Sequence, residues 1–438
     1  MDYTVLQTWR VALYATMTRN AAVLMNILDA LLSATHARRA IELTLTLAFA
    51  RQWPSFYQGL QEGHLHRSAL RQVYCAQVPW TPGQRLVLIL DTTGILRPQA
   101  PTARDRMTVH TATRADGGTP RGLGWQFSLL VVAPDPPSSW TYTLDCTRVR
   151  TGTTPARLGA LQVADVLPHL PARPLLLGDR YYGSATFVLD PRLTACDKLV
   201  RLQTHRVFYW PPPPRGPHQR GRPPRKGARF QPKDPATHGP PTATWTGTDA
   251  RGRRVTVRAW AGLAFAEALS HPVTLLECAR HDGRDTKADP RVIWLLWDSP
   301  SEAAPLPEIP DRYAQRFSVE HGIRFTKQTL LWEAPHVRTA AFQVWTDLVM
   351  AAQNTLYLAR PICAGVRLPW DRQAPVTPQQ VRRALAAILP TLGSPAPSPQ
   401  PRGKSPGRRP GCHPHPAPRF SIVWKGRAAT AHAPPNPV

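Results

Sequence analysis

Apolar residues in the first part of the chain recur at intervals of three and four. Leu24, Ile27, Leu28, Leu31 and Leu32 share one helical face, and Leu43, Leu45, Leu47 and Phe49 mark a second apolar segment. The pattern from Val5 to about Tyr74 predicts a small helical domain over residues 1–80, closed by the turn-prone Thr81, Pro82 and Gly83. The period then changes. LVLILD, Leu86 to Asp91, is too short for a buried helix and is followed by Thr92, Thr93 and Gly94, so it predicts a central strand that ends at Asp91. Trp125 to Val132 and Trp140 to Val149 follow as strands, the second alternating through Trp140, Tyr142 and Leu144. Thr154 and Pro155 supply a cap and a first-turn proline for an amphipathic helix from Ala156 to Leu170. PLLLGD, Pro174 to Asp179, is another short buried strand ending in Asp. This succession predicts an α/β fold over residues 81–197, a mixed sheet with helices packed on it. Functional groups in such sheets gather at the carboxyl ends of strands, where Asp91 and Asp179 are expected to stand.

Beyond Asp179, Tyr181 to Phe187 opens another helix and Leu199 to Tyr209 returns as a strand. Trp210 to Thr242 is rich in proline, glycine and arginine, with PPPP at Pro211 to Pro214 and RGRPPRK at Arg220 to Lys226. Strand patterns resume at Val255 to Trp260, Val273 to Cys278 and Val292 to Trp297, so residues 198–301 read as a β-rich insertion. Pro310 and Asp311 signal the start of a helix carrying YAQRFSVEHGIRFTK, Tyr313 to Lys327. Gly322 costs that helix about 1 kcal/mol relative to Ala, so a break just after Glu320 is an alternative. Apolar helices at Ala340 to Leu358 and Pro375 to Leu389 complete the second half of the core, residues 302–389. Residues 390–438 are expected to be a basic, proline-rich and mostly disordered tail with one short strand pattern at Phe420 to Trp424.

Charge narrows the class of partner. Fifty-four Lys and Arg against 28 Asp and Glu leave a net +26, which points to a polyanion, with nucleic acid ahead of a membrane surface. No run of 18 uncharged apolar residues exists and the start lacks a signal-peptide pattern, so a cytoplasmic location is expected. The six cysteines never form a C-x-x-C pair, which argues against both a disulfide framework and a zinc ribbon.

Candidate chemistry centres on the Tyr313 to Lys327 helix. At 100° per residue, Tyr313, Arg316, Glu320 and Lys327 fall within about 60° of one another, a stripe that reads either as a solvated ion-pair face or as part of a site. Asp91 and Asp179, each at a strand end, tip the balance to a site. Three carboxylates brought together repel one another unless a divalent metal is shared between them, and hard oxygen donors suit Mg²⁺ or Mn²⁺. Two such ions about 3.5 to 4 Å apart activate the attacking oxygen and stabilise the leaving oxygen in an in-line displacement at phosphorus. Arg316 and Lys327 would hold substrate phosphates beside them, and Tyr313 could hydrogen-bond one.

The spacing Tyr313-x2-Arg316-x3-Glu320-x6-Lys327 resembles, without gap or substitution, the Y-R-E-K signature of bacterial insertion-sequence transposases of the DDE superfamily. LILDTTG and LLLGDRYYG are similar to that family's two aspartate motifs, and RLQTHRVFYWPPPP, RGRPPRKGARF and GKSPGRRPG also resemble its members. The resemblance implies an RNase H-like catalytic domain interrupted by a β-rich insertion, and an N-terminal helical domain that binds terminal inverted repeats. It implies cut-and-paste transposition by a synaptic homodimer on double-stranded DNA, in a nucleoid-associated setting, with catalysis by two Mg²⁺ ions for which Mn²⁺ may substitute. Asp91, Asp179 and Glu320 become metal ligands and catalytic residues; Tyr313, Arg316 and Lys327 become phosphate contacts. Trp294 and Trp297 are the insertion's candidates for stacking a flipped base, against the alternative of core tryptophans. Arg220 and Arg222 in RGRP resemble a minor-groove arm, against the alternative of a flexible basic loop. The sequence departs from the usual pattern in the bulk of Arg180, Tyr181 and Tyr182 after Asp179, and in Gly322. Two other functions compete: a DNA-binding remnant or regulator without catalysis, and an RNase H-like nuclease that cuts without joining.

Overall fold

A computed structural model describes residues 3–110, 121–134, 138–214, 224–283, 285–286, 290–364, 376–400, 407, 410–413 and 416–423 of the chain. The first apolar stripes form α1 (Thr4–Thr16) and α2 (Ala21–Ser33), separated by the short strand β1 (Met17–Arg19). Helix α3 (Pro54–Glu62) begins on a proline, β2 (His64–Leu65) pairs antiparallel with β1, and α4 (Arg67–Ala76) follows. The segment from Leu43 to Phe49 forms only a 3₁₀ turn at Ala40–Leu45, and Leu45 and Leu47 point to solvent. A run of alternating apolar and threonine residues lacks the contiguous stripe that would bury a helix.

The sheet begins with β3 (Val87–Leu96), β4 (Met107–His110), β5 (Arg121–Val132) and β6 (Tyr142–Arg148). Helix α5 (Pro155–Val166) starts at Thr154, whose hydroxyl accepts the Arg157 N–H, and β7 (Leu175–Gly178) follows. The segment after Asp179 is mostly turn, with one helical turn α6 (Ala185–Val188) where the sequence predicts a helix from Tyr181. The predicted strand from Leu199 to Tyr209 divides into β8 (Asp197–Arg201) and β9 (Phe208–Tyr209). Strands β10 (Arg229–Phe230), β11 (Ala243–Thr248), β12 (Arg254–Phe265), β13 (Ala268–Arg280) and β14 (Val292–Asp298) complete the set. The chain then turns helical: α7 (Ile309–Ala314), α8 (Ser318–Gln328), α9 (Thr339–Cys363) and α10 (Pro378–Leu392).

Among the described residues, β3 to β14 form one mixed sheet with the path β10, β9, β12, β13, β14, β8, β7, β3, β5, β4. Strand β6 shares an edge of β5 with β4, and β11 shares an edge of β12 with β9. At the centre, β6, β5 and β3 are antiparallel neighbours, while β3, β7 and β8 run parallel. Leu88, Ile89, Leu90, Leu176 and Leu177 have no exposed surface, as strands covered on both faces require. The strands of the 198–301 segment continue this same sheet, because β14 pairs antiparallel with β8 from Asp298↔Lys198 to Leu295↔Arg201. A buried ion pair, Lys198 to Asp298 at 2.7 Å, reinforces that seam.

The helices flank the sheet. On α9, Asn354 accepts the Thr143 N–H and donates to the Thr143 carbonyl, both at 2.8 Å, and so satisfies backbone groups of β6. Helices from the two ends of the described fold pack together. Trp9 donates to Thr355 at 2.9 Å, Arg10 pairs with Asp29 at 2.6 Å and donates to the Gly393 carbonyl, and Arg382 caps the Leu31 and Ala34 carbonyls at the end of α2. The strand pattern in the tail is partly realised: the Phe420 and Val423 N–H groups donate to Pro101 and Arg106 carbonyls beside β4. No helix among the described residues is long and apolar enough to cross a membrane.

Candidate active site

The register of the three parallel strands lines up the first part of the site. Leu90 pairs with Gly178, and Gly178 with Val200, so the next residue on each strand, Asp91, Asp179 and Arg201, falls in one row. Asp91 does not end its strand, as the sequence predicts; β3 runs on to Leu96 because β5 pairs with it as far as Leu96↔Gly124. What ends at Leu90 is the parallel ladder with β7, and that leaves the Asp91 side chain at the edge of the covered region. Its Oδ1 accepts the Thr92 N–H at 2.7 Å. Asp179 closes the turn after β7, its Oδ1 accepting the Tyr181 N–H at 2.9 Å. The bulk after Asp179 is accommodated without disturbing it. Tyr181 is half exposed, and Tyr182 is buried against Gly178, where a Cβ would stand 2.9 Å from that of Tyr182, and against the Phe187 ring at 4.9 Å.

The third carboxylate arrives on the helical segment. Tyr313 to Lys327 is not one regular helix: α7 ends at Ala314, a 3₁₀ turn spans Gln315–Phe317, and α8 starts at Ser318, whose hydroxyl donates to the Gln315 carbonyl at 2.8 Å. No break follows Glu320. Gly322 lies within α8, and a Cβ there would collide with Thr141 Oγ1, so the glycine permits close approach of the helix to the sheet. Glu320 sits in the first turn of α8, where the helix dipole favours a negative charge. Lys327 ties the other end of α8 to β3, its Nζ donating to the Gly94 carbonyl at 2.6 Å and pairing with Glu333 at 2.9 Å.

Arg316, in the 3₁₀ turn, joins the two parts. Its guanidinium reaches Asp91 Oδ2 at 3.3 Å and Glu320 Oε1 at 3.4 Å. Burial pushes the Asp91 carboxyl up to about 6; Arg316 and the Thr92 N–H oppose this, while the charges of Asp179 and Glu320 add to it. Burial also raises Asp179, against the Tyr181 N–H and the cations Arg316, Arg180 and Arg201. Burial alone would lower Arg316, but Tyr313, Asp91, Glu320 and Asp179 together hold it above its ordinary value. Two carboxyls raised together with a cation between them are electrostatically starved of positive charge. That donor set of hard oxygens fits a divalent cation, although among the described residues no three acidic, His or Cys groups converge on one point.

The other predicted site residues are placed as follows. Tyr313 is buried, 3 % exposed, with the Arg316 guanidinium 5.9 Å from its ring, so any phosphate contact would need it uncovered. Trp297 is buried in the sheet and donates its indole N–H to the Glu302 carbonyl at 3.0 Å, and Trp294 stacks on Trp260 at 5.3 Å; neither ring is free to take a base. Arg220 and Arg222 lie outside the described residues. Arg201 is the residue that sequence reasoning missed. Its charge acts on both Asp179 and Tyr313, and the signal for it, a strand end in register with two aspartates, exists only once the β7–β8 pairing is known.

A family model described as DDE superfamily endonuclease matches residues 12–261, more than half of the chain and a span that holds Asp91 and Asp179. No curated protein matches. Among solved structures, the chain is similar to a piggyBac transposase synaptic complex with hairpin DNA, at 11 % identity and a TM-score of 0.41, over 84 % of this chain and 70 % of that one. The extent of the family match decides the classification: the chain belongs to the DDE superfamily endonucleases.

Proposed function

We propose that this endonuclease is a transposase of the bacterial insertion-sequence kind carrying the Y-R-E-K signature, which cuts DNA at the ends of its element and joins them to a target. The observation that carries the reading is the meeting, through Arg316, of Asp91 on β3 with Glu320 on α8, beside Asp179 one strand away. These three carboxylates are the proposed catalytic set. The strand order β6, β5, β3, β7, β8, with the first three antiparallel and the last three parallel, supports an RNase H-like core. In this reading residues 81–197 and 302–389 make up the core, 198–301 the insertion, 1–80 a DNA-binding helical unit and 390–438 a basic tail.

The carboxylates of Asp91, Asp179 and Glu320 would hold Mg²⁺ or Mn²⁺, two ions in this reading. Bound there, divalent cations lower the cost of charge on the attacking and leaving oxygens at a phosphodiester. Arg316 and Arg201, both flanking Asp179, would take the non-bridging phosphate oxygens and orient the scissile bond. Lys327 fixes the height of α8 over β3 through Gly94, and with it the position of Glu320. The net charge of +26 supplies the general attraction for DNA, with terminal repeats and target bound by a homodimer.

Incubating the purified protein and its flanking genomic DNA with Mg²⁺ or Mn²⁺ tests the proposal. Cuts should appear at the ends of the element, and pre-cut ends should be joined to target DNA; cutting without joining would leave a nuclease. Asp91→Ala, Asp179→Ala and Glu320→Ala should each abolish cleavage, by at least about a thousandfold, while leaving DNA binding. Full cleavage by any one of them removes that residue from the catalytic set.

A further inference from the structure

Arg316 is held differently from a surface phosphate contact. Its side chain is 9 % exposed, its guanidinium lies 4.6 Å from the Phe317 ring, and its two arms reach Asp91 and Glu320. Both contacts, at 3.3 and 3.4 Å, are longer than the usual charge-assisted hydrogen bond of about 2.8 Å, and the buried Nε has no partner. The cation is therefore shared between two carboxylates and fully satisfied by neither. It offsets only part of their charge, yet a divalent ion entering between Asp91, Asp179 and Glu320 would meet a resident positive charge.

We infer that Arg316 is a counter-ion latch: it occupies the carboxylate cluster until a nucleic-acid phosphate draws the guanidinium away, so metal loading follows substrate binding. The inference rests on the proposed metal-dependent function. A phosphodiester offers the planar fork two oxygens of one group, which the divided carboxylates do not. Binding of phosphate at Arg316 and of metal at the carboxylates is then positively coupled, and by linkage each strengthens the other.

Titration of the full chain with Mn²⁺, read by electron paramagnetic resonance at fixed pH and salt, tests this without activity. Wild type, Arg316→Gln, Arg316→Met and Asp91→Asn would be compared alone and with a short random-sequence duplex. The Asp91→Asn protein with the same duplex gives the background from DNA. Arg316→Met keeps an unbranched chain against Phe317, and thermal unfolding identifies the variants that are folded. Without DNA, both Arg316 variants should bind Mn²⁺ about tenfold or more tightly than wild type. The duplex should raise wild-type affinity by a similar factor and that of the variants far less. Equal affinities without DNA, or a duplex effect as large in the variants as in wild type, overturns the latch while Asp91-dependent Mn²⁺ binding leaves the metal site standing. Absence of Asp91-dependent Mn²⁺ binding in every protein and condition overturns the metal site, and the latch with it.

Discussion

The role proposed for Asp91 comes at the expense of stability. An acid whose folded pKa, about 6, lies above its ordinary value of 3.8 binds a proton more tightly when folded. Stability from this group is therefore present below about pH 4 and is lost as pH rises to about 6, beyond which the loss is constant. Asp91→Asn should stabilise the metal-free protein by about 3 kcal/mol at pH 7 and by only about 0.5 kcal/mol at pH 4, while ending cleavage. Urea unfolding at the two pH values checks it, and a variant no more stable than wild type at pH 7 would contradict the burial argument. Gly322 makes the opposite point. Alanine there gains about 1 kcal/mol of helix propensity but meets Thr141 Oγ1, so Gly322→Ala should cost a net 1 to 3 kcal/mol, roughly, in thermal unfolding. The aspartates and Glu320 are legible in the sequence because a motif announces them. Arg201 and the packing role of Gly322 are not, since each depends on a partner more than a hundred residues away or on another strand.

At the scale of elements, the sequence predicts strands and helices well where a period is sustained and less well where a tertiary contact ends them. The Tyr313 to Lys327 stripe reads as one helix, yet the 3₁₀ turn at Gln315–Phe317 changes the angle at which Arg316 and Glu320 are presented. Strand β3 outruns its apolar core because β5 offers backbone partners past Asp91. Helix α4 shows how a helix is fixed to this sheet. Its Arg67 donates to Asp145 at 3.0 Å, to the Cys146 carbonyl and Thr147 hydroxyl at 2.8 Å, and pairs with Asp347 of α9 at 3.4 Å. Burial raises Asp347 to about 6, with Arg67 the main opposing charge. Arg67→Met should thus destabilise by about 3 kcal/mol at pH 7 and by less at pH 5, where Asp347 can take up a proton instead. A loss that is the same at both pH values would show that Asp347 is not the group left unpaired.

For the molecule as a whole, the composition change after Trp210 marks the 198–301 segment, but nothing in it tells that its strands extend the central sheet. That pairing is non-local, β8 meeting β14 about a hundred residues on. Removing residues 202–298 should therefore expose the β8 edge and strand the Lys198 charge, giving aggregated protein rather than a folded, inactive core; a monomeric, cooperatively unfolding product would refute this. The helices carry a consequence of another kind. Part of the apolar face of α2 is covered by α9 and α10, and its last carbonyls are capped by Arg382, so α2 leaves the ribosome some 350 residues ahead of that part of its cover. At about 5 to 20 residues per second that interval lasts roughly 20 to 70 s, during which the part of α2 that packs on α9 and α10 remains uncovered. Newborn chains of this protein should accordingly depend on chaperones that hold the nascent N-terminus, and slowing translation should lower its yield.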